Sequence, residues 1–263
     1  MTSKSFAKVN IYLKIIGIRD NYHLISSRFM LVESLFDTIT FEEKDRYDDE
    51  FELIGKFSCN KEQNLIYKAY RQLLKSDASK KVSDFFKVHK VIVDKNIPEF
   101  AGLGGGSSNV ATFLKMCNDF IKLGLKKDTV LSIGTTLGAD VAFFINGFSS
   151  ANVEGIGEKV VPFKENSLDL EIFTPKIKCI TSQVYKEYRK NLLQNYDRIT
   201  AQNTKLANKL RNLKSSDILE QFDIYELNDL FGSAFKLYPS LKNYAKEGWF
   251  FSGSGSSFFK KIA

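Results

Sequence analysis

Cysteine and histidine, which build disulfide frameworks and most transition-metal centres, are scarce in this chain. Its 263 residues include three cysteines and two histidines. Cys59, Cys117 and Cys179 lie far apart and none has a CxxC partner, so neither a zinc site nor a dithiol redox motif is indicated. An odd, sparse set of cysteines is typical of a reducing cytoplasm, and we expect Cys117 to be a small buried hydrophobe on a helix.

Long hydrophobic runs are absent as well. The longest, such as residues 141–145, are far shorter than the roughly 20 apolar residues that cross a bilayer as a helix. Lys8 and Lys14 interrupt the only early apolar stretch, so the N-terminus lacks the pattern of a signal peptide. We therefore expect a soluble, cytoplasmic protein with no membrane partner.

The charge balance is basic but dispersed. Lys and Arg number 38 against 31 Asp and Glu, which gives a net charge of +7 without one long basic run. Charge alone is compatible with nucleic acid, an anionic surface or a phosphorylated ligand, and we attribute the excess to a lysine-rich proteome and expect no nucleic-acid partner. Hydrophobic residues make up 43% of the chain and 23 are Phe, enough for the core of one large domain or two medium ones.

Four familiar catalytic signatures are missing. The Walker A motif GxxxxGK[ST] requires a Lys that does not follow the glycines at 102–106. The dinucleotide fingerprint GxGxxG fails because position 107 is Ser. Neither HRD nor DFG occurs, which excludes the protein-kinase set, and there is no GxSxG nucleophile elbow.

Residues 7–15 alternate strictly between apolar and polar side chains. One face carries Ala7, Val9, Ile11, Leu13 and Ile15, and the other carries Lys8, Asn10, Tyr12 and Lys14. A period of two predicts a half-buried strand with Lys8 and Asn10 side by side on its exposed face. Residues 17–21 predict a turn, and residues 24–36 and 38–41 predict two further extended segments.

A strand, a glycine loop and a helix follow one another in the middle of the chain. Residues 88–93 are β-branched and strand-like, and they lead through Pro98 into the glycines at 102–106. Apolar residues then recur at helical spacing over residues 110–121, which predicts an amphipathic helix ending at Gly124.

Elsewhere the patterns are shorter. Residues 65–74 have helical spacing, and Asn64 is placed to cap that helix. Residues 168–173 predict a strand, residues 188–216 predict polar helix with loose connections, and residues 247–259 predict a hairpin of two aromatic strands.

The glycine loop has the composition of a phosphate-binding segment. Its glycines are Gly102, Gly104, Gly105 and Gly106, and Ser107 and Ser108 follow in the first helical turn. Glycine permits positive φ and lets the backbone approach an anion, while a helix N-terminus presents unpaired N–H groups and partial positive charge. A flexible linker or an elaborate helix cap is the alternative, but a linker is unusual between an apolar strand and an amphipathic helix.

Three motifs, in order, resemble those of the GHMP kinases, the family named for galactokinase, homoserine kinase, mevalonate kinase and phosphomevalonate kinase. Residues 98–109, PEFAGLGGGSSN, resemble its phosphate loop. Residues 7–10, AKVN, resemble its first motif, and residues 251–256, FSGSGS, resemble its third. The match spans nearly the whole chain.

Within the family, further features resemble the members whose substrate is an alcohol carrying a cytidine diphosphate group, in the non-mevalonate route to isoprenoid precursors. These are Tyr22-His23, Asn64-Leu65-Ile66 and residues 137–144 and 154–158. Three positions depart from the pattern: Asn21 stands where a Gly is usual, Phe100 occupies a usually small position, and Ala142 replaces a usual Pro. None removes a reacting group, and Phe100 is the one expected to reshape the entrance of the loop.

The resemblance implies a two-domain α+β fold. Residues 1–160 would form an N-terminal ATP-binding domain resembling the second domain of ribosomal protein S5. Residues 161–263 would form a ferredoxin-like C-terminal domain that binds the substrate. The implied activity is ATP-dependent, Mg²⁺-assisted phosphorylation of the substrate's 2-hydroxyl by a monomer or homodimer.

The catalytic roles follow from the resemblance. Asp140 would accept the proton of the 2-hydroxyl, although capping of the following segment explains this residue equally well from local sequence. Lys8 would hold Asp140 ionised and steady the incoming oxyanion; without the motif it would be an ordinary strand lysine.

Ligand contacts are carried over position by position. The implied ATP-binding residues are Pro98, Ala101, Gly102, Leu103, Gly104, Gly105, Gly106, Ser107, Ser108, Asn64 and Lys95. The implied substrate-binding residues are Asn10, Tyr22, His23, Phe29, Thr181, Tyr185, Gly253 and Ser254. Tyr22 and Tyr185 would sandwich the cytosine while His23 reads its edge. Each of three assignments has a structural alternative. Asn64 could simply cap a helix, Lys95 could be a solvated lysine, and the turn at Gly253 could be a plain hairpin turn.

Two other functions stay possible at this stage. A related kinase acting on homoserine or a mevalonate-type acid would keep the fold, but its substrate has no base to stack. A nonenzymatic nucleotide- or RNA-binding relative would fit the basic charge, although retention of Lys8 and Asp140 argues against lost catalysis.

Overall fold

The structure is a computed structural model that describes residues 1–262. These residues form two compact units, each assembled from separate parts of the sequence. The first comprises Met1–Ala7, Ser34–Ile97 and Gly105–Gly147, and the second comprises Lys8–Glu33, Pro98–Gly104 and the described chain from Phe148 onward. The predicted domains, 1–160 and 161–263, divide the chain by a single cut, and that division stays a prediction.

The first unit combines a small sheet with helices. The long strands β1 (Thr2–Arg19) and β2 (Tyr22–Glu43) run through residues of both units, and β1 pairs with β2. In the first unit the end of β2 pairs antiparallel with β4 (His89–Asp94), which pairs parallel with β3 (Leu53–Gly55). The helices are α1 (Leu65–Leu73), α2 (Ser79–Val88), α3 (Gly105–Phe120), α4 (Lys127–Leu137) and α5 (Val141–Asn146).

Aromatic rings fill the core of the first unit. Phe51 stacks on Tyr70 with ring centroids 4.1 Å apart, and Phe41 meets Phe86 edge to face at 5.4 Å. Phe113 of α3 lies 5.8 Å from the ring of Phe86 and is fully buried. Such ring pairs stabilise beyond their buried area. This cluster therefore holds α3 in place, and the first turn of α3 contains the last residues of the glycine loop.

The second unit contains two groups of paired strands. Residues Ile25–Met30 of β2 pair antiparallel with β5 (Ser150–Gly155), which pairs with β6 (Lys159–Pro162). A separate sheet has the order β7 (Leu170–Phe173), β9 (Phe258–Lys261), β8 (Phe250–Phe251). The helices are α6 (Thr181–Gln194), α7 (Tyr196–Leu210), α8 (Ser215–Gln221), α9 (Ile224–Leu227) and α10 (Phe231–Leu237). The predicted C-terminal hairpin is confirmed, because β8 and β9 pair antiparallel.

Strand β1 corrects one expectation. The prediction that Lys8 and Asn10 lie on an exposed face is wrong, because both side chains are 3% exposed or less. The Lys8 ammonium donates to Asn10 Oδ1 at 2.6 Å, and the Lys14 ammonium donates to the carbonyl of Glu226 at 3.0 Å. Alternating polar residues indicate solvent only when one face of a strand is uncovered; here Lys8, Asn10 and Lys14 find partners in the interior.

The predicted helices and the central strand are confirmed with small shifts. Asn64 caps α1, and its side chain accepts from the backbone N–H of Ile66. The helix predicted to end at Gly124 is α3, which ends at Phe120. The two extended segments expected after the first turn form the single strand β2, and the turn itself is confined to Asp20 and Asn21.

None of the helices in the described part of the chain combines the length and the apolar character needed to cross a bilayer.

Candidate active site

The N-terminal half of the glycine loop lies in the second unit and is shaped by backbone that only glycine adopts easily. Gly102 and Gly104 have φ of +73° and +70°. The carbonyl of Gly102 accepts from Lys8 Nζ at 3.2 Å and from Ser252 Oγ at 2.9 Å. A Cβ on Gly102 would lie 2.0 Å from the carbonyl oxygen of Ser252, so position 102 has room only for glycine.

This segment is held by backbone hydrogen bonds from β1 and from the C-terminal hairpin. The N–H of Lys8 donates to the carbonyl of Leu103 at 3.0 Å, and the N–H of Ser257 donates to that of Ala101 at 3.1 Å. Ala101 and Leu103 are buried, whereas Pro98 is exposed. The three motifs of the sequence analysis thus supply neighbouring backbone within one unit.

Phe100, the residue that departs from the family pattern, has unusual backbone. Its φ is +56°, which is rare for a bulky residue, and its side chain is 43% exposed. The ammonium of Lys178 lies 5.9 Å from the centre of its ring. The aromatic ring therefore projects from the loop without filling the core.

Lys8 is the centre of a buried polar cluster in the second unit. Its ammonium lies 4.5 Å from the centre of the Phe29 ring, in addition to the bonds to Asn10 and Gly102. Asn10 Nδ2 donates to Ser27 Oγ at 2.9 Å, and a Cβ on Gly253 would lie 3.3 Å from Asn10 Oδ1. The structure thus brings together the predicted residues Lys8, Asn10, Phe29, Gly102 and Gly253.

The C-terminal half of the loop begins α3 in the first unit. Gly106 is exposed, and Ser107 is half-buried. A Cβ on Gly138 would lie 3.3 Å from Ser107 Oγ, so the segment that leads into Asp140 passes close to this hydroxyl. A Cβ on Gly106 would lie 3.6 Å from Leu65, the residue that follows Asn64 at the start of α1. The first turn of α3, the start of α1 and the approach to Asp140 are neighbours.

Ser108 and Lys95 turn inward and belong to a network that the sequence analysis missed. The hydroxyl of Ser5 donates to Ser108 Oγ at 2.7 Å, and Asn109 Nδ2 donates to Ser5 Oγ at 3.0 Å. Lys95 Nζ forms an ion pair with the fully buried Asp37 and donates to Asn109 Oδ1 at 3.1 Å.

The Asp37 carboxylate also accepts the backbone N–H groups of Asn96 at 2.7 Å and Ile97 at 2.8 Å, together with Asn109 Nδ2 at 2.8 Å. Asn109 is the last residue of the phosphate-loop motif, residues 98–109, so the sequence marks it. No local pattern marks Ser5 or Asp37, because their partners lie 58 to 104 residues away in the chain.

Asp140 occupies the N-cap position of α5. Its side chain makes no capping hydrogen bond to the helix, and its carbonyl accepts from the N–H of Phe143 at 3.2 Å. Helix capping, the alternative explanation weighed for this residue, is therefore not what the side chain does.

Aromatic side chains surround His23 in the second unit. His23 is 8% exposed. The centroid of its imidazole lies 5.1 Å from the ring centroid of Tyr185 and 6.2 Å from that of Tyr188. Its Nε2 is buried without a hydrogen-bond partner. Burial lowers the pKa of His23, and the positive charge of Arg189 lowers it further. Tyr22 is 62% exposed.

The hairpin turn is tied to its surroundings through side chains. Thr181 and Ser254 share a hydrogen bond of 2.8 Å between their hydroxyls. Asn228, which the sequence analysis did not single out, donates to the carbonyls of Phe251 at 2.8 Å and Gly253 at 3.0 Å. These contacts join two predicted substrate residues, Thr181 and Ser254, and hold the Gly253 turn in shape.

Comparison with known proteins shows the family of the chain. Residues 64–148 match the profile of the GHMP kinases N terminal domain. Over 260 residues the chain is 52% identical to a 4-diphosphocytidyl-2-C-methyl-D-erythritol kinase from Sulfurimonas denitrificans, covering 98% of this chain and 95% of that relative. It is 45% identical over 255 residues to the relative of the same name from a Sulfurovum species, covering 97% and 96% of the two chains.

A solved structure shares the fold. The crystal structure of a 4-(cytidine 5'-diphospho)-2C-methyl-D-erythritol kinase superimposes with a TM-score of 0.71 at 26% identity, covering all of this chain and 90% of the other. The predicted α+β fold class of the GHMP kinases is confirmed.

Proposed function

This chain belongs to the 4-diphosphocytidyl-2-C-methyl-D-erythritol kinases, a group of GHMP kinases, and we propose that it transfers the γ-phosphoryl group of ATP to the 2-hydroxyl of that diphosphocytidyl alcohol. The reaction would supply isoprenoid precursors by the non-mevalonate route. We further propose that it acts in the cytoplasm as a monomer or homodimer, without nucleic-acid or membrane partners.

The observation that carries the ATP assignment is the glycine loop. Positive φ at Gly102 and Gly104 turns the backbone ahead of α3, a 16-residue helix whose first turn is exposed at Gly106. The first N–H groups of a helix have no partner inside it and attract phosphate. We propose that these amides, with the Ser107 hydroxyl, hold the phosphates of ATP. Ser108 and Lys95 then support the loop from within, and their direct contact with ATP remains a prediction.

Magnesium fits the site as a companion of the nucleotide. No trio of His, Cys, Asp or Glu among the described residues is arranged to hold a metal ion. Mg²⁺ in kinases is commonly bound through substrate phosphates, water and one or two carboxylates, and it neutralises charge on the phosphate oxygens. Binding of this kind needs no dedicated cluster of protein carboxylates.

Asp140 and Lys8 are the proposed reacting residues. Phosphoryl transfer requires an acceptor for the alcohol proton, and the Asp140 carboxylate at the start of α5 is the group proposed to take it. Lys8 keeps its ammonium among Asn10, the Gly102 carbonyl and the Phe29 ring, where its charge stabilises negative charge that develops in the reaction.

The aromatic cluster in the second unit supports recognition of a nucleobase. Tyr185 lies beside His23, and the unpartnered Nε2 is a polar edge for a base to meet. We propose that His23 reads the cytosine, that Tyr22 and Tyr185 stack on it, and that Phe29, Thr181, Gly253 and Ser254 complete the substrate site. Homoserine or mevalonate would leave this cluster without a partner.

A coupled ADP-release assay tests the proposal directly. With ATP and Mg²⁺, we expect turnover with 4-diphosphocytidyl-2-C-methyl-D-erythritol and none above background with homoserine or mevalonate. Phosphorus NMR of the product locates the new phosphate on the 2-hydroxyl. Turnover with homoserine or mevalonate alone, or tight and salt-sensitive RNA binding without kinase activity, would reject the assignment.

A further inference from the structure

Helix α6 presents three side chains to the region around His23. Tyr185 and Tyr188 contact the imidazole, and Arg189 reaches the β1–β2 turn that immediately precedes Tyr22 and His23. Residues at spacings of three and four share one face of a helix, so a single face of α6 carries this contact surface.

Arg189 bridges the turn at two points. Its NH1 donates to the carbonyl of Asn21 and its NH2 to the carbonyl of Asp20, each at 3.2 Å. The planar guanidinium can donate to two acceptors at once in a fixed geometry. A lysine ammonium is a compact point charge and does not fix the two acceptors in the same way. The arginine thus links α6 to the two residues that set the direction of the chain into β2.

The turn needs such support because its backbone is unfavourable. Asp20 has φ of +55°, in the left-handed region that non-glycine residues seldom adopt. A residue held there persists when surrounding contacts determine its conformation. Two charge-assisted hydrogen bonds to this turn are contacts of that kind.

We propose that Arg189 is a positioning residue for nucleobase recognition, which holds the β1–β2 turn so that Tyr22 and His23 present the cytosine-reading edge, without itself touching the substrate. This inference rests on the proposed function. It adds a residue whose contribution is to substrate affinity and not to the chemical step.

The charge of Arg189 adds a second, separable effect. Burial lowers the pKa of His23 below its ordinary value of 6.5, and Arg189 adds to that lowering. The titratable groups around the imidazole are Tyr185, Tyr188 and Arg189 on α6, with Asp20 and Tyr22 nearby in sequence. Burial and the nearby Asp229 raise the pKa of Tyr188, so this phenol stays neutral where His23 titrates. The neutral imidazole persists above its lowered pKa, and binding that needs it weakens as the pH falls through that value.

Three substitutions separate geometry from charge. Arg189→Lys keeps the charge without the two-point bridge, Arg189→Gln keeps a donor without the charge, and Arg189→Ala removes both. Arg198→Ala is the matched control, since Arg198 lies on α7 and donates a long 3.4 Å hydrogen bond to the side chain of nearby Asn195. KM for each substrate, kcat, and the pH dependence of kcat/KM for the diphosphocytidyl alcohol are measured for all variants.

For Arg189→Ala we expect KM for the diphosphocytidyl alcohol to rise about 5- to 10-fold, as expected for two partly exposed hydrogen bonds, with KM for ATP and kcat unchanged. Arg189→Lys should raise KM while leaving the acid midpoint of kcat/KM near that of wild type. Arg189→Gln and Arg189→Ala should move that midpoint to higher pH. Arg198→Ala should change none of these values.

Several results would overturn the inference. Unchanged KM in Arg189→Ala, an equal rise in both KM values, a fall in kcat alone, or a lower melting temperature with normal kinetics would each reject a positioning role. If Arg189→Ala does not fold, Arg189→Lys still decides the question, because it keeps the charge and loses the two-point bridge: a raised KM for the diphosphocytidyl alcohol at an unchanged pH midpoint supports positioning, and an unchanged KM rejects it. Wild-type enzyme inactive on the diphosphocytidyl alcohol would reject the proposed function as well, whereas active wild type with an unaffected Arg189→Ala rejects this inference alone.

Discussion

Lys8 shows how a single charged side chain is held for use. It is 3% exposed, and its ammonium meets Asn10 Oδ1, the Gly102 carbonyl and the face of Phe29. A buried charge is tolerated when hydrogen bonds and ring contacts replace its hydration. These partners fix the direction of the ammonium, which suits electrostatic stabilisation that needs no reorganisation during the reaction.

Asp140→Asn tests the proposed base. The amide keeps the shape of the carboxylate but does not accept the alcohol proton, so kcat should fall by about 10²–10⁴-fold. The coupled ADP-release assay measures it, with Asp128→Asn in the exposed first turn of α4 as the control. A kcat near wild type for Asp140→Asn would remove the base from the mechanism.

Lys8→Met separates a role in chemistry from a role in nucleotide binding. Methionine keeps much of the side-chain volume but removes the charge, so we expect kcat to fall by roughly 10²-fold while KM for ATP changes less than about threefold. Lys4→Met is the control, because Lys4 lies on the same strand but is exposed. A rise in KM for ATP with normal kcat would assign Lys8 to binding alone.

The start of α3 is an element whose conformation is set by two kinds of contact. Glycines ahead of it adopt positive φ, and the network of Asp37, Lys95 and Asn109 fastens its first turn from inside the first unit. A phosphate site formed by backbone amides depends on these contacts. Backbone N–H groups cannot rotate toward a ligand as side chains can, so the backbone itself must be held in the binding conformation.

Gly102→Ala tests the loop, and Gly124→Ala is its matched control. Both glycines have positive φ, and the left-handed strain on alanine is about 1–2 kcal/mol at either position. Position 124 has nothing within 4 Å of an added Cβ, whereas at position 102 the Cβ meets the Ser252 carbonyl at 2.0 Å. Urea unfolding should therefore show a larger loss of unfolding free energy for Gly102→Ala than for Gly124→Ala. Gly102→Ala should also lower kcat/KM at least about tenfold. Equal losses in the two variants would contradict the steric argument.

Asp37→Asn tests the network beneath the loop. The substitution leaves the Lys95 ammonium inside the protein without its counter-ion, and we expect the free energy of unfolding to fall by about 3–5 kcal/mol. Glu171→Gln is the comparison, because Glu171 pairs with Lys260 and both side chains are more than a third exposed, so the change should be far smaller. Similar stability for Asp37→Asn and Glu171→Gln would show that the buried pair contributes little.

The chain taken together uses distant segments for each ligand. In the second unit, residues near positions 10, 23, 185 and 253 supply the groups assigned to the diphosphocytidyl alcohol, and Gly102 supplies backbone assigned to ATP. In the first unit, the start of α3 supplies groups assigned to ATP, and Asp140 supplies the proposed base. Nucleobase recognition and metal-assisted phosphoryl transfer should therefore respond differently to removal of Mg²⁺.

Removal of Mg²⁺ with excess EDTA should abolish ADP release, and added Mg²⁺ should restore it, because the metal neutralises the phosphates of ATP. Binding of cytidine diphosphate measured by its thermal shift should persist in part without the metal, since stacking and contacts to the base need none. Full kinase activity in EDTA would contradict the proposed use of Mg²⁺.

Local sequence was sufficient for much of the fold and for the outline of the site. Helices α1 and α3, the alternation of β1, the cap at Asn64 and the C-terminal hairpin all follow from periods, capping residues and glycine, which act over a few residues. The family motifs by themselves point to Lys8, Asp140 and the glycine loop. The continuity of β2 and the burial of Lys8 and Asn10 did not follow from the pattern.

Packing between distant segments decided the rest. Whether a lysine on an alternating strand is exposed depends on what covers that face, and Ser108 turns to Ser5 across 103 residues of sequence. Arg189 likewise reaches the carbonyls of Asp20 and Asn21 from a helix nearly 170 residues later. The local sequence pattern sets the secondary structure of a segment. The hydrogen-bond partners and the desolvation of its side chains depend on which distant segments the core brings within about 3 Å, and only the folded chain determines which segments these are.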